Sequence, residues 1–140
     1  MKVRNRVISF VMLCVMLFAM VIPTNATDSG IMPCYNNTNS TYANFAIDDS
    51  GIATTAYLCD GYNNVTTTIK VEIQLQKKTW WWYNNVDGAY WKDVVDYYHC
   101  SGEHSIQLTQ GGTYKSVVTF TVYGCGGVAD VITSEIELSY

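Results

Sequence analysis

The chain has 140 residues, with 8 basic and 12 acidic side chains and a formal net charge of −4. Three of the basic residues, Lys2, Arg4 and Arg6, lie at the extreme N-terminus, so the remainder carries five lysines, no arginine and 12 carboxylates, a net charge of −7. A segment that acidic offers no basic face for neutralising phosphates, which excludes nucleic acid and anionic membrane as expected partners.

Behind Lys2, Arg4 and Arg6 comes the apolar run Val7 to Ile22, then Pro23-Thr24-Asn25-Ala26. A basic start, an apolar stretch and small residues at the exit are the pattern of a secretory signal peptide, with cleavage expected after Ala26. The run is 16 residues long, short of the roughly 17 to 25 that span a bilayer. Cys14 follows Leu13 inside the run and lacks the small residue that precedes a lipid-modified cysteine. No stable membrane anchor is expected, and the product is read as secreted. Residues 27–40, rich in Asn, Ser, Thr and Gly, read as a flexible leader. Residues 41–140 read as one domain.

Strand signals follow in order. Thr41 to Ile47 is closed by the turn Asp48-Asp49-Ser50-Gly51, and Ile52 to Cys59 by Asp60-Gly61-Tyr62-Asn63-Asn64; such residues tolerate left-handed backbone. Val65 to Lys77 alternates Val65, Thr67, Ile69, Val71, Ile73 and Leu75 with polar partners, the period of a half-buried antiparallel strand. Trp80-Trp81-Trp82-Tyr83 is read as extended, and Asn84 to Gly88 as a turn on the strength of Asp87-Gly88. Tyr90 to Tyr98, Ser105 to Leu108, Thr113 to Tyr123 and a last strand from Val128 to Leu138 complete the set. Both prolines, Pro23 and Pro33, precede the strands, and no window carries a helical period. Seven strands at about ten-residue spacing predict an all-β, seven-stranded antiparallel sandwich. Its expected core is Ile69, Val71, Ile73, Leu75, Tyr114, Val118 and Phe120.

The segment Leu108-Thr109-Gln110-Gly111-Gly112-Thr113-Tyr114 resembles the tyrosine corner of immunoglobulin-like and fibronectin type III domains, in which a tyrosine at the start of the sixth strand bonds back to upstream backbone. On that topology Cys34, Cys59, Cys100 and Cys125 all lie at segment ends at one pole. Four cysteines in an exported chain read as two disulfides with three possible connectivities. All three are geometrically conceivable; pairing of the first two strands favours Cys34 with Cys59, leaving Cys100 with Cys125. A wider resemblance rests on Ser40 to Ile47, Ser50 to Ala53, Leu75-Gln76-Lys77, Trp91, Gly112-Thr113-Tyr114 and Ser134 to Tyr140. These segments resemble a family of small secreted proteins of unknown function from clostridia and related Gram-positive bacteria. That resemblance implies bacterial origin and architecture, with no activity attached. The aromatic run and the four cysteines depart from the family pattern.

Candidate chemistry centres on Trp80, Trp81, Trp82 and Tyr83. In a strand successive side chains face opposite ways, so Trp80 and Trp82 would share one face, Trp81 and Tyr83 the other, and one pair would be left outside. Exposed aromatics stack on sugars or anchor protein partners, making an extracellular glycan or protein the expected ligand; Tyr90, Tyr97 and Tyr98 could extend the surface. His99, Cys100, Glu103, His104 and Cys125 match no established zinc spacing, and an oxidised cysteine lacks the thiolate that metal binding or nucleophilic attack needs. The close acidic pairs, Asp48 with Asp49 and Asp93 with Asp96, read as solvated acids rather than the carboxylate pair of a glycosidase. Asn36, Asn39 and Asn64 fit the glycosylation pattern, relevant only in a eukaryotic secretory pathway. The expectation is a non-catalytic binding module with no cofactor or metal; a small hydrolase and a purely structural exoprotein are the alternatives. Intact-mass measurement on protein from culture medium is expected to find Thr27 at the N-terminus, and full-length chain confined to membranes would refute export with cleavage.

Overall fold

A computed structural model describes residues 35–140 of the chain. The expected signal peptide at 1–26, the leader as far as residue 34, and Cys34 lie outside the described residues. Seven strands follow in order: β1 Thr38–Ile47, β2 Ile52–Gly61, β3 Thr66–Thr79, β4 Trp82–Val95, β5 His99–Gln107, β6 Thr113–Gly124 and β7 Asp130–Ser139. They form two antiparallel sheets, β1-β2-β5 and β4-β3-β6-β7. No helix occurs among the described residues.

β3 and β6 form the centre of the larger sheet, and their period-two pattern turns one side chain in two toward the other sheet. All seven residues expected in the core are buried, joined by Val122 of β6 and by Ala53, Tyr57 and Cys59 of β2. Polar groups inside are paired: Thr55 and Ser116 share a 2.8 Å hydroxyl hydrogen bond between the sheets, and no buried side-chain N or O among the described residues lacks a partner. Tyr114, second residue of β6, donates its hydroxyl to the Gln110 carbonyl at 2.6 Å. That is the bond the Leu108 to Tyr114 segment predicts.

Three boundaries differ from the sequence reading. β1 starts at Thr38, inside the expected leader, because the Asp130 carboxylate captures the chain there. It accepts from the Asn36, Asn37 and Thr38 amides at 3.3, 2.8 and 2.9 Å and from the Thr38 hydroxyl at 2.9 Å. Asp87-Gly88 does not reverse the chain; the register jumps from Gln74 opposite Tyr90 to Gln76 opposite Asn85, so residues 86–89 bulge out of a continuous β4. Gly88 takes the left-handed φ of 73° the bulge needs, and Ala89 returns to the core. β5 spans His99–Gln107 rather than Ser105 to Leu108, so Cys59 and Cys100 sit within β2 and β5 instead of beyond strand ends.

Two measurements probe this packing. Phe120, edge-on to Tyr57 with ring centroids 6.5 Å apart, fills the middle of the core, and Phe120→Ala is expected to cost about 3 to 5 kcal/mol in urea denaturation; a loss below about 1 kcal/mol would show the cavity is not formed. Burial pushes the Asp130 pKa up, but the hydrogen bonds from Asn37, Thr38 and Asn36 outweigh it and hold the carboxyl below its ordinary value. A depressed pKa stabilises the fold fully above the unfolded value of about 3.9 and loses that contribution as pH falls through the folded value. Asp130→Asn is therefore expected to cost about 2 kcal/mol at pH 7 and progressively less below pH ~4. A pH-independent difference would separate the effect from the carboxylate charge.

Candidate functional site

β3 and β4 run past the core as a hairpin. Thr79 pairs with Trp82 across a two-residue reversal made of Trp80 and Trp81. The aromatic run is thus a turn followed by the start of a strand, which corrects the extended reading and its alternating pairs. Trp80 has a φ of 60°, and a left-handed first central residue is the signature of a hairpin turn that ordinarily takes glycine. A bulky side chain there is a backbone outlier costing roughly 1 to 2 kcal/mol. Trp80, Trp81 and Trp82 are 82%, 81% and 73% exposed, so the strain is not offset by burial of the rings.

Tyr83 is placed differently. It pairs with Lys78, half-buried on the outer face of the sheet, with Lys115 Nζ 4.3 Å above its ring and its hydroxyl donated to Glu137. That hydrogen bond, more than any other influence, pushes the Tyr83 pKa up to about 12. The tryptophans and Tyr83 therefore do not form one surface. Tyr90 and Tyr97 are exposed on other parts of the fold.

On the inner face, the hairpin overhangs the three-stranded sheet and leaves a cleft of about 370 Å³. Lys77, Thr79 and Asn84 of the hairpin line one wall, Asp87 of the bulge a second, and Gln107 at the end of β5 with Gln110 of the following loop a third. Thr79 is the cross-strand partner of Trp82, so the cleft leads out to the tryptophan tip. Lys77 Nζ donates to Gln110 Oε1 at 2.7 Å, tying hairpin to loop. Sequence reasoning missed these polar residues, although the inward phase of Ile69 to Leu75 continues through Lys77 and Thr79. Polar side chains on an inward phase mark the point where the covering sheet ends.

The other candidates fall at separate places. At the open side between β4 and β5, His104 Nε2 lies 2.6 Å from Asp93 Oδ2, and the Tyr57 hydroxyl donates to the same oxygen. Trp91 stacks on His104 with centroids 5.3 Å apart. A β-carbon on Gly102 would come within 2.5 Å of the Tyr57 oxygen, so glycine there lets the tyrosine reach across. Burial raises the Tyr57 pKa first and the bond to Asp93 second, and burial also raises that of the nearby Cys100 thiol. A protonated phenol, a protonated thiol and a carboxylate with two partners form a polar seal rather than an activated nucleophile. His99 Nδ1 meets Asp60 Oδ1 at 2.6 Å across β2 and β5. Asp48 caps its own turn, accepting from Ser50 and Ile52, and Asp96 accepts from Thr68 at 3.0 Å. Among the described residues no three His, Cys, Asp or Glu side chains are grouped to hold a metal.

Of the expected bridges, Cys34 with Cys59 involves a residue outside the described ones, and Cys100 with Cys125 is not brought together. Cys100 faces the core opposite Cys59, whereas Cys125 is exposed just beyond β6 with its sulfur 3.6 Å from the Val65 carbonyl.

No family model matches the chain, and no curated protein matches it. A solved structure of a protein from Archaeoglobus fulgidus is similar over 74% of this chain and 97% of that one, at 13% identity and a TM-score of 0.33. That likeness is too distant to bear on function. The tip itself generates a test: Trp80→Gly relieves the left-handed strain at some cost in unfolded-state entropy, so stability is expected to hold or to rise by up to about 1 kcal/mol. A loss beyond about 1 kcal/mol in denaturant titration would mean that the ring is packed.

Proposed function

We propose that this is a secreted, non-catalytic binding module that holds an uncharged polysaccharide through Trp80, Trp81 and Trp82 and the adjoining cleft. The observation that carries the reading is the tip itself: three tryptophans, each more than 70% exposed, on a turn whose first ring sits on strained backbone. Strained, exposed apolar groups persist where function retains them. The cleft supports a sugar in particular. Indole faces stack on the apolar faces of pyranose rings, and Asn84, Thr79, Gln107 and Gln110 supply donors and acceptors for hydroxyls without demanding a charged ligand. The net charge of −7 beyond residue 26 disfavours anionic polymers. An immunoglobulin-like or fibronectin-like architecture belongs to the same proposal, supported by the three-plus-four strand arrangement and the Tyr114 to Gln110 bond. So do export and kinship with the clostridial secreted proteins, supported by the N-terminal pattern and the residues quoted above.

The experiment is retention of the protein on insoluble neutral polysaccharides and on purified cell wall, compared with the Trp80→Ala/Trp82→Ala variant. Wild-type protein is expected to be retained, and the variant to bind at least about tenfold more weakly with an unchanged melting temperature. Failure of the wild type to bind any glycan, or partition onto zwitterionic lipid vesicles instead, would overturn the reading.

A further inference from the structure

Cys59 and Cys100 are direct cross-strand neighbours in the β2–β5 ladder. Their position within the ladder follows from its two ends. Gly61 N donates to Tyr98 O at 2.7 Å, and Leu108 N to Gly51 O at 2.9 Å. Counting inward by two residues per strand from either end reaches the Cys59/Cys100 pair, which is therefore a hydrogen-bonded pair, with Cα atoms about 5.5 Å apart. That separation lies inside the roughly 4.4 to 6.8 Å range of disulfides. Cross-strand partners project to the same face, and here it is the core face: both residues are buried in one cluster with Tyr57, Ile69 and Phe120. The thiols are free in this structure.

Among the described cysteines, pairing of Cys125 with either of the other two demands more movement. Cys59 is completely buried, and Thr41 of β1 occupies its other flank, so the exposed Cys125 has no direct approach to it. Cys125 is exposed and lies against the Asn64 and Val65 carbonyls, while Cys100 points inward.

We propose that Cys59 and Cys100 are joined as a disulfide in the exported protein, replacing the pairing expected from sequence. Each thiol gives up one proton and one electron, a single S–S bond forms, and a disulfide-bearing oxidant accepts the two electrons and is reduced to two thiols. Rotation about the two Cα–Cβ bonds turns the sulfurs toward each other, and because the Cβ atoms of a hydrogen-bonded pair stand about 5 to 5.5 Å apart against about 3.5 to 4.5 Å in a disulfide, β2 and β5 also draw together by about 1 Å at this point. The bond would tie β5 to β2 near the pole where β1 begins, and its burial would shield it from thiol exchange. The inference rests on export to an oxidising compartment and is independent of what the tryptophans bind.

The test uses the chain from residue 27 onward, refolded in a buffer of reduced and oxidised glutathione and then mapped by non-reducing peptide mass spectrometry. The expected product is a linked pair of peptides containing Cys59 and Cys100, lighter than the two separate peptides by two hydrogens. The Cys125→Ser variant, whose substitution is on the surface, is expected to give the same linked pair. Recovery of Cys34 linked to Cys59, or Cys100 to Cys125, would overturn the proposal. So would full alkylation of both Cys59 and Cys100 when the refolded protein is opened in denaturant without reductant.

Discussion

Everything else in this molecule depends on the inward row of β3. β3 is paired on both edges, with β4 and β6, and Ile69, Val71, Ile73 and Leu75 are sealed between those neighbours and the smaller sheet. A one-residue slip would turn that apolar row to solvent, so the register of the whole larger sheet is held by it. The row also sets where the core ends. β3 has 14 residues, about 46 Å of strand, whereas β2 has 10, about 33 Å. The longer hairpin must overhang, and beyond Leu75 the same inward phase presents Lys77 and Thr79 to a cleft instead of to a second sheet. The candidate binding face is a by-product of unequal strand lengths, with its polar lining positioned by the alternation that builds the core.

Seven strands and a central core were legible in the sequence because β3 and β6 carry a clean period of two, and tertiary contacts agree with it. The tip of the hairpin was not. Turn chemistry is read from glycine, asparagine and aspartate, and the chain offers such a signal at Asp87-Gly88, six residues past the real reversal. Packing decides the matter: Ala89 and Trp91 belong to the core clusters, and continuing β4 through a bulge returns them there. The tryptophans are left to make the turn. β5 extends beyond its sequence signal for a different reason. Its first half, His99-Cys100-Ser101-Gly102-Glu103, has weak strand propensity, and it is held in the ladder by specific partners, namely Asp60 for His99 and the Tyr57 ring over Gly102. Losing that half also hid the alignment of Cys59 with Cys100, since two cysteines placed at the ends of loops carry no register.

Strain and exposure at Trp80 act together. A left-handed tryptophan at a solvent-facing turn is disfavoured by backbone sterics, and an exposed ring gains nothing from the core in return. Tyr83, two residues after the turn, shows the alternative available to a neighbouring aromatic: it lies under Lys115 and bonds to Glu137 on the outer face. The contrast separates an aromatic that stabilises the sheet from three that do not, and it confines the binding reading to Trp80, Trp81 and Trp82.

A sandwich has two open sides where edge strands of one sheet pass over those of the other, and here each is closed by one carboxylate. Asp130 of β7 gathers the backbone entering β1, and Asp93 of β4 takes hydrogen bonds from Tyr57 of β2 and contacts His104 of β5. Burial opposes ionisation of both, yet the donors aimed at them hold both pKa values below the ordinary range. The two carboxylates thus stay charged where apolar contacts alone would leave the sheets free to shear, and each crosses between sheets that share no backbone hydrogen bonds. The Asp130 closure stands at the pole where β1 begins, the tryptophan tip at the opposite pole where β3 ends. The projecting hairpin thus lies at one end of the strands, while the sheets are tied together at the middle and the far end. That division, one pole closed by hydrogen bonds to Asp130 and the other extended, is the physical sense in which an acidic, arginine-free sandwich presents three tryptophans to its surroundings.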